Sequence, residues 1–303
     1  MTEPALPAGI HPMMFAFFGA DGTLDRAAMR RQVRSAMACG VQGLAVLGLG
    51  SEVSKLSADE RRCLRDWAAE DLEGRLPLTV TVAEPDVASA LAAVREAAAV
   101  GAACAIVQPP PGGPGSEAAL AAFFAAVADG APIPVGIQNA PEYLGVGLGL
   151  DALVHLVETQ PNLRLLKAEG SALYAAEVVA ATGGRVQVFA GRGGLELIDS
   201  FRAGCTGMIP ALDSADLQAR AFAAFHAGDE ATAEAIYARI LPGVVFMMQS
   251  LDSFLAYGKR IAAARLGLGP VHDRPPGHVP TAEGLAWTAR YAAALPALPA
   301  AEA

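Results

Sequence analysis

Short apolar runs alternate along this chain with longer alanine-rich stretches, and no other feature restricts its possible folds so far. The runs are Ile10–Phe18, Gly43–Leu49, Leu78–Val82, Ala103–Val107, Ile133–Ile137, Leu163–Leu166, Val186–Ala190 and Gly207–Pro210. Most are continuously apolar rather than alternating with polar residues, the pattern of parallel strands buried on both faces. The stretches between them carry helical spacing and helix punctuation. Met29, Val33 and Met37 recur at i, i+4 and i+8 before Gly40. Ser57 and Glu60 form a capping box ahead of Leu64, Trp67 and Leu72, and Gly74 closes that helix. Val87, Leu91 and Val94 repeat the pattern before Gly101, and further stops fall at Gly130, Asn162, Gly183 and Gly204. Eight strand–helix units within about 210 residues is the arithmetic of an α/β fold of the (β/α)8 TIM-barrel type. A doubly wound sheet would show a glycine-rich phosphate turn after its first strand. The turn Phe18-Gly-Ala-Asp-Gly-Thr-Leu-Asp25 lacks that fingerprint.

Beyond the eighth run the pattern is helical only. One helix ends near Gly228, a second starts at Asp229-Glu230 and is expected to break at Pro242, and a third covers Ser253–Leu266 before Gly267. A proline-rich connector, Pro270 to Pro280, precedes a last helix from Thr281. The expected organisation is a catalytic barrel over residues 1–212, then the last barrel helix and a C-terminal helical extension over residues 213–303.

With 53% apolar residues, the chain can bury a large core. Its net charge of −9 and the absence of any basic run exclude nucleic acid as a main partner. Mean hydropathy is high, +0.36, yet it comes largely from alanine spread over helices. No segment offers the ~18 uninterrupted apolar residues of a membrane span, so no membrane role is expected. The N-terminus MTEPALPAG has neither the basic nor the apolar region of a signal peptide. Cys39, Cys63, Cys104 and Cys205 form no CxxC and read as reduced structural thiols, which points to the cytoplasm.

Several chemistries are excluded by missing motifs: HExxH, a P-loop, GxSxG, and GxGxxG opening a helix after a strand. The histidines at 11, 155, 226, 272 and 278 show no ligand spacing. Neither metal nor nucleotide cofactor is expected. Barrel chemistry sits at the C-terminal ends of strands, and four ends carry candidates: Gly48-Leu-Gly-Ser-Glu52, Gln138-Asn139-Ala140-Pro141, Lys167-Ala168-Glu169-Gly170 and Gly191-Arg192-Gly193-Gly194. Lys167 follows Leu163-Arg-Leu-Leu166, at the end of a buried strand. A lysine there is costly to bury as an ammonium ion, and burial lowers its pKa. The neutral amine is the nucleophile that attacks a ketone to form a Schiff base. The alternative is a lysine snorkelling from the strand rim or paired with Glu169. Glu169, two residues on, shares a face with Lys167 if the strand reaches it, as general acid/base or as salt-bridge partner. The turn Gly50-Ser51-Glu52 offers backbone N–H groups and a hydroxyl to a substrate carboxylate, or is an ordinary tight loop. Gln138 and Asn139 offer hydrogen bonds to a hydroxylated substrate, or cap a turn. Gly191, Arg192 and Ile209 complete the expected substrate-binding set.

Taken together, these motifs make the chain similar to the dihydrodipicolinate synthase / N-acetylneuraminate lyase superfamily of Schiff-base lyases and dehydratases. The similarity runs over nearly the whole chain. It rests on Gly9-Ile-His-Pro12, Asp21-Gly-Thr-Leu-Asp25, GLGSE at 48–52 in place of GTTGE or GSTGE, Lys167, Gly204-Cys-Thr-Gly-Met-Ile-Pro210 and the three-helix extension. It implies that Lys167 forms the imine. The departures narrow the branch. The tyrosine of the synthases' YNVP motif is Gln138 in QNAP, and their Thr-Thr pair is Leu49-Gly50. Their second relay tyrosine would fall in Gln108-Pro-Pro-Pro111, and their arginine after the strand-5 proline is replaced around Glu142-Tyr143. Without that relay, dihydrodipicolinate synthase and sialic acid lyase activities do not fit. A Q-x-A-P motif, a K-x-E motif and a Ser-Glu pair after strand 2 instead look like 2-keto-3-deoxy-L-arabonate dehydratases.

The resemblance implies a 2-keto-3-deoxy sugar acid docked at Gly50-Ser51. Lys167 would form the imine, and Glu169 would take the C3 proton and return one to the departing C4 hydroxyl. Gln138 would orient a hydroxyl or a water, since an amide is a poor acid and base. An aldolase of the same family, releasing or condensing pyruvate, would use the same imine. A metabolite-binding barrel without catalysis is the reading from another class. The resemblance also implies a homo-oligomer, dimer or tetramer. The −9 charge does not attract an anionic substrate, so attraction must be local.

Overall fold

The computed structural model describes residues 5–113 and 115–299. Residues 1–4, 114 and 300–303, which include the outer ends of both expected segments and the start of the N-terminus read for a leader, lie outside the described residues. Eight parallel strands form the sheet: β1 (Gly9–Ile10), β2 (Leu44–Val46), β3 (Leu78–Val82), β4 (Cys104–Val107), β5 (Val135–Asn139), β6 (Leu163–Ala168), β7 (Gln187–Ala190) and β8 (Gly207–Met208). Their order is β1-β8-β7-β6-β5-β4-β3-β2. The ring closes between β1 and β2 where Met13 bridges both Ala45 and Ala211, and where Ala45 N–H donates to the Pro12 carbonyl at 2.9 Å. This is the expected (β/α)8 barrel.

The opening strand is shorter than the apolar run Ile10–Phe18. The regular ladder is only Gly9–Ile10, because Pro12 has no N–H to give the β2 side, yet the chain stays against the β8 segment, where His11 N–H donates to the Met208 carbonyl at 2.9 Å and Met13 N–H to the Pro210 carbonyl at 2.7 Å. β6, by contrast, runs past Leu166 to Ala168, which takes Lys167 inside the strand.

Between β1 and β8 lie helices α1 (Arg26–Ala38), α2 (Ala58–Leu72), α3 (Val87–Ala99), α4 (Glu117–Gly130), the single turn α5 (Pro141–Leu144), α6 (Leu150–Thr159), α7 (Ala172–Thr182) and α8 (Leu197–Arg202). Side-chain caps start many of them. Ser57 accepts from Glu60 N–H at 3.2 Å while Ser57 N–H donates to the Glu60 carboxylate at 2.9 Å, the capping box read from the sequence. Asp25, Asp86, Ser116 and Ser171 cap α1, α3, α4 and α7.

Inside the barrel, Leu6, Met13, Ala45, Cys104, Ile106, Leu165, Phe189 and Ile209 form a buried cluster separate from the larger core under the helices. Strand side chains alternate faces, so Ile106 and Leu165 point inward and the positions two residues on, 108 and 167, share their face one rung higher. That rung is the floor of the site.

After β8 come α9 (Ala215–His226), α10 (Glu230–Met247), α11 (Leu251–Ser253), α12 (Lys259–Leu266) and α13 (Ala282–Ala293). Two details differ from expectation. α10 passes through Pro242 unbroken. Pro242 is exposed while Ile236, Ile240, Val244 and Met247 are buried on either side of it. Packing of that stripe outweighs the one lost hydrogen bond and the ring clash, about 3 kcal/mol. The third helix begins at Leu251 and includes a π-helical turn, Phe254–Gly258, before α12. Such bulges often re-aim side chains at functional sites, and here Phe254 reaches the barrel mouth. Among the described residues, no single helix is long and apolar enough to cross a membrane. All four cysteines are free, three of them buried.

Candidate active site

Lys167 and Glu169 stand at the top of β6, 4% and 6% exposed. Glu169 N–H donates to the Asn139 carbonyl at 2.9 Å, which continues the β5–β6 pairing one residue past the strand and keeps Glu169 on the face of Lys167. Lys167 Nζ lies 3.1 Å from Glu169 Oε1. The other carboxylate oxygen, Oε2, accepts from the Gln138 side-chain amide. Gln138 Oε1 in turn accepts from Gln108 Nε2 at 2.9 Å. Gln108, Gln138, Glu169 and Lys167 therefore form one buried chain of hydrogen bonds across three strand ends. The ammonium and the carboxylate compensate each other in this buried position, and the amides hold the carboxylate still.

Gly191 is what makes room for Glu169. A Cβ built on Gly191 would stand 2.3 Å from Glu169 Oε1. Arg192 follows in the left-handed region, φ 54°, where a side chain costs of order 1–3 kcal/mol of strain. Its Nη1 lies 3.1 Å from Glu196 and its Nη2 3.8 Å from Glu142, while its buried Nε has no partner among the described residues. The Tyr143 phenol interacts with the same guanidinium. Burial holds that phenol above its usual pKa, opposed by Arg192 and assisted by the charges of Glu169 and Glu142.

Lys167, Glu169, Arg192, Tyr143, Gly50 and Ile209 all line one small cavity of about 40 Å³, with Met13, Leu49, Gly193, Pro210, Met248, Leu251 and Phe254. Beside it lies a chamber of about 770 Å³, walled by residues that include Glu52, Arg61, Gln108, Pro109, Pro110, Pro111, Leu144 and Val146. Leu49, Tyr143 and Leu251 belong to both.

Three expected substrate-binding side chains are engaged elsewhere. The Ser51 hydroxyl donates its one proton to the Met14 carbonyl at 2.6 Å and accepts from Leu47 N–H at 3.0 Å. It holds the 3₁₀ turn Leu49–Ser51 and offers no donor to a ligand. Glu52, itself left-handed at φ 54°, pairs with Lys259 of α12 and with Lys55 at 2.7 Å, and it borders the chamber rather than the lysine pocket. Asn139 donates to the Leu148 carbonyl at 2.9 Å and to the Tyr174 hydroxyl at 2.7 Å, and accepts from Leu148 N–H at 2.8 Å. Its short amide clamps the loop after β5.

Sequence reasoning missed Gln108 and Lys259 as site-building residues, and took Tyr143 only as the replacement of an arginine. Gln108 had a usable signal, since it lies two residues beyond inward-facing Ile106. Lys259 had none, because its partner Glu52 lies 207 positions away. Among the described residues, no three His, Cys, Asp or Glu side chains gather as a metal ion requires.

Comparison with known proteins agrees with this architecture. The model of the dihydrodipicolinate synthetase family matches residues 6–276. The 4-hydroxy-tetrahydrodipicolinate synthase of Xanthomonas campestris pv. campestris is 34% identical over 209 residues, covering 69% of this chain and 68% of that protein. The L-2-keto-3-deoxyarabonate dehydratase of Azospirillum brasilense is 29% identical over 215 residues, covering 68% and 69%. Among solved structures, YagE of Escherichia coli K12 in complex with pyruvate superposes with a TM-score of 0.83 at 23% identity, covering 94% of this chain and 96% of that one.

Proposed function

The chain belongs to the dihydrodipicolinate synthetase family, and on that premise we propose that it is a Schiff-base lyase that dehydrates 2-keto-3-deoxy sugar acids. The observation that carries the reading is the buried Lys167–Glu169 pair, with a glutamine rather than a tyrosine on the carboxylate. The similarity to the Azospirillum dehydratase supports it.

The substrate's carboxylate enters beside Gly50, and Arg192 supplies a local positive charge in a chain of net charge −9. Lys167 passes a proton to Glu169, 3.1 Å away, and its neutral amine adds to the C2 ketone. Loss of water from that adduct leaves a protonated imine. The imine is an electron sink, so Glu169, again a carboxylate, removes a C3 proton and leaves an enamine. The enamine pair closes a C3–C4 double bond as the C4 hydroxyl departs as water. With a pentonate, proton transfer from C5 to C3, ketonisation of the C4–C5 enol and hydrolysis of the imine release 2-oxoglutarate semialdehyde. Gln138 cannot exchange protons in this sequence. Its amide fixes the Glu169 carboxylate against Lys167.

The reading includes a cytoplasmic enzyme of carbohydrate metabolism that assembles as a dimer or tetramer. Exposed Leu173, Val245, Val279, Leu285 and Trp287 support assembly.

Borohydride trapping tests the chemistry. Pyruvate plus borohydride should add the mass of a reduced imine to the wild-type chain and not to Lys167→Ala; a missing adduct, or one that survives Lys167→Ala, refutes the Schiff base. Glu169→Gln should still trap pyruvate but lose turnover of 2-keto-3-deoxy acids by about 10²–10⁴-fold. Release of pyruvate from those acids, in place of a semialdehyde, would make the enzyme an aldolase.

A further inference from the structure

Tyr143 has no part in the chemistry above, yet it lines the cavity of Lys167 and Glu169. α5 carries it off the end of β5 to the wall shared by the lysine pocket and the larger chamber. The lysine pocket, about 40 Å³, is far smaller than the adjoining chamber of about 770 Å³. A keto acid joined to Lys167 at C2 must therefore send its distal carbons past that wall into the chamber. Its C4 hydroxyl then passes the phenol. Other groups at the pocket are committed. Both Glu169 oxygens face donors, Lys167 and Gln138. Arg192 stays protonated, and its guanidinium lies against the phenol. Among the described residues lining the pocket, that leaves Tyr143 as the one hydroxyl, held against the Arg192 cation that steadies a phenolate.

We propose, on the basis of the dehydratase reading, that Tyr143 is the general acid for loss of the C4 hydroxyl, and that Arg192 holds the phenolate so formed. The step balances. The enamine pair moves into the C3–C4 bond, the C4–O bond breaks, and the phenol proton completes the departing water. The phenolate then removes a C5 proton, which regenerates the phenol and leaves a dienamine. Glu169 returns to C3 the proton it took. Each acid/base group ends as it began.

Tyr143→Phe separates this role from a structural one. The variant should trap pyruvate on Lys167, and exchange the pyruvate methyl protons in D₂O, within about twofold of wild type. Its turnover of 2-keto-3-deoxy-L-arabonate should fall by about 10²–10⁴-fold. Fluoride leaves without a proton, so the 4-fluoro-3,4-dideoxy analogue should lose fluoride on the variant within about threefold of the wild-type rate. Arabonate turnover at the wild-type rate, or fluoride release lost in parallel with it, overturns the role of Tyr143 and leaves the dehydratase reading standing. Failure of the wild-type enzyme to trap pyruvate or to dehydrate the arabonate overturns both.

Discussion

Glu169 shows how few options a buried carboxylate has. One oxygen meets the Lys167 ammonium and the other a glutamine amide, and the adjacent strand end must be glycine to admit it. Gly191→Ala places a methyl group 2.3 Å from Oε1 and forces Glu169 away from Lys167. A displacement of about 1 Å in such a constellation costs on the order of 10²-fold in rate. Turnover of the variant should fall by that factor while its circular dichroism and melting profile stay close to wild type. A fully active Gly191→Ala enzyme would show that Glu169 need not sit there. At this scale strand periodicity made much of the site legible. Lys167 and Glu169 follow inward-facing Leu165 at intervals of two, and Gln138 pairs with Lys167 in register. Ser51 and Asn139 were not legible in the same way. A hydroxyl or an amide serves a backbone turn and a ligand equally well, and spacing cannot choose between them.

At the scale of elements, the loop after β2 and helix α12 act as one piece. Glu52 and Lys259 are nearly inaccessible, with side chains 2% and 1% exposed, and the Lys259 ammonium is also 3.4 Å from the Ala16 carbonyl. Lys259→Met removes the ammonium and leaves Glu52 buried with Lys55 alone. Breaking a buried pair in this way costs about 3–5 kcal/mol, with Lys55 keeping the loss toward the lower end. Urea denaturation should show that loss. Pyruvate affinity, read by trapping at graded concentrations, should weaken as well, because Glu52 ends the turn that carries Gly50. An unchanged urea midpoint would mean that the pair contributes nothing to holding the extension on the barrel. Caps and glycines marked most helix boundaries in the sequence. They did not mark this joint, nor the continuity of α10 through Pro242, since both depend on what packs against the element.

At the scale of the whole molecule, two buried groups set opposing pH dependences. Burial raises the Asp213 carboxyl to about 7, while the Ser214 hydroxyl donates to Oδ2 and Oδ1 has no partner among the described residues. The folded chain keeps a proton that the unfolded chain gives up near 3.8, so this stability is lost as pH rises from about 4 to 7. Burial lowers His11 to about 4, where its ring packs 5.2 Å from that of Phe189. The folded chain refuses a proton that the unfolded chain takes at 6.5, so that contribution is lost as pH falls from 6.5 toward 4. Asp213→Asn removes the first effect alone. Relative to wild type, the variant should gain about 3–4 kcal/mol between pH 4 and pH 7.5, measured as urea unfolding free energies at both pH values. A difference that does not change with pH would place Asp213 in the ordinary carboxylate range.

The alternation of apolar runs with capped helices was enough to imply a closed parallel barrel, because strand and helix periods are local properties that eight repeats average reliably. The same periodicity, with one lysine at the end of the sixth run, pointed to the strand end where the candidate site lies. Three things needed the folded chain. They are the chain of hydrogen bonds from Gln108 to Glu169, the pairing of Lys259 with Glu52 at the end of the Gly50 turn, and the entry of Tyr143 into the lysine pocket. Each joins residues from separate elements, and contact between distant segments depends on how the elements pack rather than on any local pattern. Charge shows the difference most simply. A net −9 repels an anionic acid at a distance, and only the folded arrangement gathers Lys167 and Arg192 around one small cavity.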